Sequence, residues 1–198
     1  MNILLGFAPY IAFFLFMRTV SIDAGLWAAL VVTVLISARN WTRSGSLKVL
    51  EAGTVLIFLA LVIFTAAEHW KWTVMAVRLA VDAGLLAIVL VSLAIGRPFT
   101  LQYARERVAE QYWHTPLFLT INRGITFAWA TALATLVAAH AAVIFVPVVP
   151  WWLDIVLTVS VLAAALRFTA LYPKYASKKA GFPSSGAGRQ ALTDPKAG

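Results

Sequence analysis

Long apolar runs separated by short basic loops constrain this chain more than any other feature. Runs of that length could not be covered in water. In a bilayer, about 20 apolar residues per helix cross the hydrocarbon and satisfy their own backbone groups. The expected fold class is therefore all-α, a polytopic transmembrane helical bundle. The composition agrees, with 62% hydrophobic and 12% charged residues among 198. A chain of this size has room for one membrane domain and no sizeable soluble one.

Six apolar segments can be drawn, at about 2–18, 22–38, 50–67, 74–96, 125–148 and 151–172. The first two lie near the lower limit of ~17 residues for a span and could instead form a tight or tilted hairpin. Five or six spans are expected. Residues 1–17 carry no Lys or Arg before the apolar run and no small-residue cleavage site, so the first helix is expected to stay. Pro9 lies inside it, where a kink is tolerated if neighbours take up the freed carbonyl. Beyond Tyr172, residues 173–198 turn rich in Pro, Gly, Ser and Lys, which predicts a disordered basic cytoplasmic tail.

Basic residues orient the bundle. Arg39, Arg43, Lys48, Arg97, Arg105, Arg107, Arg123, Arg167, Lys174, Lys178, Lys179, Arg189 and Lys196 fall on one side, thirteen of the sixteen. Arg18 and Lys71 fall on the other, and Arg78 lies inside a span. The positive-inside rule then places both termini of a multi-pass membrane protein in the cytoplasm. The net charge of +8 thus belongs to membrane orientation and anionic headgroups, not to nucleic acid. Trp70, Trp72, Trp151 and Trp152 flank predicted spans, and Trp41 and Trp113 sit in the basic loops, as interfacial anchors do.

Chemistry is sparse. With no cysteine, thiolate metal sites, iron–sulfur clusters and thiol redox chemistry are excluded. His69, His114 and His140 lie far apart, which argues against a bis-histidine haem. No H-E-x-x-H, G-x-S-x-G, Gly-rich phosphate loop or paired acidic metal motif occurs. No enzyme, cofactor or metal is expected.

Two regions stand out. The 97–123 connection is the longest loop, with Leu101, Ala104, Val108 and Tyr112 on one helical stripe and Arg105, Arg107 and Glu110 on the polar side. Thr100, after Pro98, is placed to cap a short interfacial amphipathic helix. Arg97, Pro98, Arg105, Arg107, Trp113 and Arg123 are the candidate contacts to lipid or a partner, a plain surface connector being the alternative. The second region is an intramembrane polar cluster of Arg78, Asp82 and His140. Arg78 and Asp82 share a face at i,i+4, and counting ~1.5 Å per residue puts Asp82 and His140 at one depth. Asp23, Glu68 and Asp154 belong to the same half of the bundle. A proton-linked site is one reading. A self-compensating Arg78–Asp82 pair, with the other acids reaching the interface, is the other. The sequence leans to the second, because no pocket or further acid pair is evident.

Asp23–Ala24–Gly25–Leu26 recurs as Asp82–Ala83–Gly84–Leu85, and seven of fifteen positions match when 23–37 is laid on 82–96. A duplicated helical unit would produce this, as would apolar low complexity. Small residues, Ala83, Gly84 and Ala87 in one span and several alanines between 130 and 139 in another, suit close helix approach.

Three stretches carry a family likeness: LLGFAPYIAFFLFMRTVSIDAGLWAALVVTVLI, HWKWTVMAVRLAVDAGLLAIVLVSLAIGRPF and INRGITFAWA. Their order resembles the bacterial intracellular septation protein A family of small inner-membrane proteins. The matching positions are Phe7, Pro9, Asp23, Lys71, Trp72, Gly96, Arg97, Pro98, Arg123, Ala128 and Trp129. The long 101–122 loop and the Arg78–Asp82 pair depart from that pattern, as in a divergent member. The resemblance implies a non-enzymatic role in cell-envelope maintenance and septation, through helix and loop contacts with division or cell-wall synthesis membrane proteins or with a second copy. The rival expectation is a small transporter or channel using Arg78, Asp82 and His140.

Overall fold

The computed structural model describes residues 3–44, 48–68, 73–106, 108–146 and 150–179. Arg107, the Trp70–Lys71–Trp72 run and residues 180–198 lie outside them, as do the side chains of Arg18, Arg43, Glu68 and Trp151. The described chain is all-α: α1 (Ile3–Thr19), α2 (Ile22–Ser44), α3 (Val49–Glu68), α4 (Val74–Ala94), α5 (Thr100–Arg105), a single 3₁₀ turn (Glu110–Tyr112), α6 (Pro116–Phe145) and α7 (Trp151–Lys179). Five helices, α2, α3, α4, α6 and α7, are long and apolar enough to cross a membrane, which makes this a multi-pass membrane protein. The shorter α1, 17 residues with a buried Pro9, pairs with α2 as a hairpin.

Successive long helices pack on one another, so their connections gather at two ends. The α2–α3 and α4–α6 links form the basic-loop end; the α3–α4 and α6–α7 links form the opposite end. One core joins α1 to α4 through Phe13, Leu26, Ala29, Phe58, Val62, Val77 and Val81. A second, of Val89, Phe99, Ala130 and Leu133, joins α4 to α6, with Leu85 packed against both. α4 is thus the shared wall.

Its contact with α3 is interlocked. A Cβ on Gly84 would meet the Ile57 side chain at 2.8 Å, and one on Gly53 would overlap Ile88. Each glycine is a socket for an isoleucine of the facing helix, the close backbone approach on which apolar helices rely in lipid.

α4 ends in a Schellman motif: Gly96, at φ +70°, donates to Leu93 O, and Arg97 N–H donates to Ser92 O, both at 3.0 Å. Pro98 follows, buried, and closes the helix. The Gly-Arg-Pro of the family likeness is therefore a helix stop.

Four boundaries differ from expectation. α2 runs on to Ser44, past the expected end at 38, so Arg39 and Trp41 belong to its last turns and not to a loop. α6 begins at Pro116, not 125: Thr115 caps it by accepting from Phe118 N–H at 3.3 Å, and Pro116 opens its first turn. The polar Asn122 joins the helix by donating to Phe118 O at 2.8 Å. α7 runs through Pro173 to Lys179, so 173–179 is helix, not tail. The proline costs one backbone bond, while Lys178 and Lys179 suit the helix C-terminus. The expected interfacial helix spans only Thr100–Arg105 and leaves Tyr112 exposed.

Candidate functional site: a charge cluster joining three helices

At the end opposite the basic loops, α4 begins, α6 ends and α7 begins, and four ionisable side chains meet there. Arg78 Nη1 donates to Asp154 Oδ2 at 3.0 Å. His140 lies between two carboxylates, its Nδ1 3.2 Å from Asp82 Oδ2 and its Nε2 3.2 Å from Asp154 Oδ1. The His140 and Asp154 side chains are 2% and 0% exposed, those of Asp82 and Arg78 15% and 23%. The cluster is therefore closed on the α6–α7 side and open on the α4 side.

The structure brings Asp82 and His140 together, and it gives the arginine a partner on another helix. Arg78 is not confined to its own helix but crosses to Asp154. Asp154, expected at the interface, is buried in the middle of the group. Its position in the first turn of α7 gave that expectation. The one sequence signal was that it is the sole charge between Pro150 and Leu166, which marks it as costly in lipid without saying which way it turns. Asp23, by contrast, is exposed.

Neither contact of His140 is aligned as a hydrogen bond, and Asp154 Oδ1 likewise lacks one. Both are contacts at ion-pair distance. Only a doubly protonated ring offers a donor at each nitrogen; a neutral ring turns a lone pair toward one carboxylate. With the proton present, the charges of Arg78, His140, Asp82 and Asp154 cancel. Without it, the group carries one net negative charge. The arrangement can therefore hold or release a proton at one ring, between acids on two other helices.

The basic-loop end holds a different assembly. Lys48, 5% exposed, pairs with Glu106 at 2.8 Å and Glu51 at 3.9 Å, and lies 4.6 Å from the Tyr103 ring centroid. Asn40 Nδ2 donates to Glu51 at 2.9 Å, and Val49 N–H donates to Gln102 Oε1 at 2.8 Å. Burial, and then the Glu51 and Glu106 carboxylates, push the Tyr103 phenol well above its ordinary range. Thr100, expected to cap α5, instead donates to Asn122 O at 2.9 Å and shares a 2.8 Å bond with Thr126. Phe99 is the cap residue, without a side-chain bond, because the buried α6 polar groups claim the Thr100 hydroxyl.

Among the loop residues singled out from sequence, Arg97, Arg105 and Arg123 are exposed and Pro98 is buried in the helix stop. Trp113 donates from Nε1 to Val108 O at 2.8 Å, and the Arg105 guanidinium stands 5.2 Å from its ring centroid. The described part of the loop is folded onto itself. Among the described residues, no group of three or more His, Cys, Asp or Glu side chains is placed to hold a metal ion.

In comparison with known proteins, no family model, no curated protein and no solved structure matches the chain.

Proposed function

We propose that this is a small proton-linked transporter or channel whose working group is the Arg78–Asp82–His140–Asp154 cluster. One observation carries the reading: buried His140 is held between carboxylates from two other helices of an apolar bundle. Asp82 would be the accessible exchange partner and Asp154 the interior one, with Arg78 keeping Asp154 in place. The test is proton flux into liposomes containing the full chain, followed with a pH-sensitive dye. Asp82→Asn and His140→Gln should each abolish flux while the protein still folds and reconstitutes. Flux undiminished in both variants would overturn the proposal.

A second reading keeps the expectation of a non-enzymatic scaffold for cell-envelope maintenance and septation in the bacterial inner membrane. The supporting observation is the fixed basic-loop end, where buried Lys48 pins α5 while Arg97, Arg105 and Arg123 stay exposed. Such a platform suits anionic headgroups or a partner membrane protein. The family likeness noted in the sequence supports it, as the charge asymmetry supports cytoplasmic termini. A carboxy-terminal fluorescent fusion should then gather at the septum, and lose that position when the three arginines become alanine. Uniform membrane fluorescence would count against this reading.

A further inference from the structure

α7 faces inward in an unusual way. Among the described side chains from 152 to 160, Asp154 is the only buried one, while Trp152, Leu153, Ile155, Val156 and Val159 are exposed. Apolar side chains in lipid gain little by docking, because the acyl chains are as apolar as the protein. The half of α7 that starts at Trp151 is therefore held to the bundle chiefly by its charge. Its other half is held by packing: Ala165 is buried, Trp129 donates to Thr169 at 3.1 Å, and a Cβ on Gly124 would meet the Tyr172 ring at 2.8 Å.

We propose that α7 is a lever, pivoting near Thr169 and Tyr172, whose Asp154 end is latched by Arg78 and His140 and loosens when His140 releases its proton. The proposal rests on the reading of His140 as the proton-binding group. The charged groups around that ring are Asp82 and, through Asp154, Arg78 from α4, and Asp154 from α7. α6 itself carries only one other ionisable side chain, Arg123, about 25 Å away along the helix. Loss of the ring proton leaves Asp154 with Arg78 alone and turns a lone pair toward a carboxylate. The exposed apolar residues on either side of Asp154 oppose the swing little, since they meet lipid before and after it.

The absence of cysteine makes the test clean. Ala67→Cys at the end of α3 and Val156→Cys on α7 create a unique pair of exposed sites at the same end of the bundle. Spin labels there, on the full chain in lipid bilayers, report the distance by pulsed dipolar spectroscopy at about pH 5 and about pH 9, which bracket the ordinary imidazole range. One narrow distance is expected at the lower pH and a second, longer population at the higher. In the labelled His140→Gln chain the distribution should be the same at both. Asp154→Asn should show the longer population throughout. If Asp154→Asn does not accumulate, the comparison of wild type with His140→Gln still decides. An unchanged wild-type distribution across pH overturns the lever. If proton flux persists in that case, the transporter reading stands alone; movement of α7 without flux supports the lever and removes the transporter.

Discussion

The two ends of the bundle both bury charge, yet they do so differently. Around Lys48, Glu51 Oε1 and the α3 amide at Val49 find aligned partners and an aromatic face covers the ammonium, while the buried Glu51 Oε2 is left without a hydrogen bond. Around His140, ionised groups stand at 3.2 Å without hydrogen-bond alignment. Aligned hydrogen bonds hold one arrangement at the Lys48 end, whereas the contacts of His140 are of charge alone. The first end is the better clamped, and the second is the one we propose to respond to protons.

Breaking the difference should have its largest effect at Asp154. Asp154→Ala leaves Arg78 and His140 facing each other with one acid lost, and should cost about 3–5 kcal/mol, read as a lower midpoint of thermal unfolding in detergent. Lys48→Met should cost less, about 1–3 kcal/mol, because Glu106 is 41% exposed and recovers water. Its signature is local: residues of α5 should become open to hydrogen exchange while α7 stays protected. Gly53→Ala touches neither cluster and drives a methyl against Ile88, so about 1–3 kcal/mol should be lost with proton flux retained.

The smallest effect sharpens the contrast through pH. The Tyr103 phenol is raised in the fold, so the folded state keeps its proton more firmly than the unfolded chain. Stability from this source is complete below about pH 10 and falls as pH climbs above it. Tyr103→Phe keeps the cation–π contact and should remove that alkaline slope with little change at neutral pH.

Much of this could be read in advance. Apolar runs of membrane length dictate helices because no other open structure satisfies its backbone in lipid. Asp82 and His140 could be matched in depth from the rise per residue alone. What sequence hides is rotation: nothing local says whether Asp154 turns toward lipid headgroups or toward α6, since its neighbours are apolar on every side. The start of α6 was legible in Thr115–Pro116, a cap followed by an N1 proline, but Asn122, Arg123 and Gly124 interrupt the apolar pattern before 125. α7 outran its expected end because extending a helix already anchored at Thr169 and Tyr172 needs no new nucleus, so 173–179 continue it despite their polar composition.

The isoleucine sockets between α3 and α4 carry a consequence for motion. Gly53 faces Ile88 and Gly84 faces Ile57, four residues apart on both helices in one antiparallel register. Sliding either helix would lift both isoleucines out of their notches at once, so these two travel as a single body. A rearrangement that parts this bundle therefore has its seam elsewhere than between α3 and α4, and Arg78 and Asp82 move only as α3 moves.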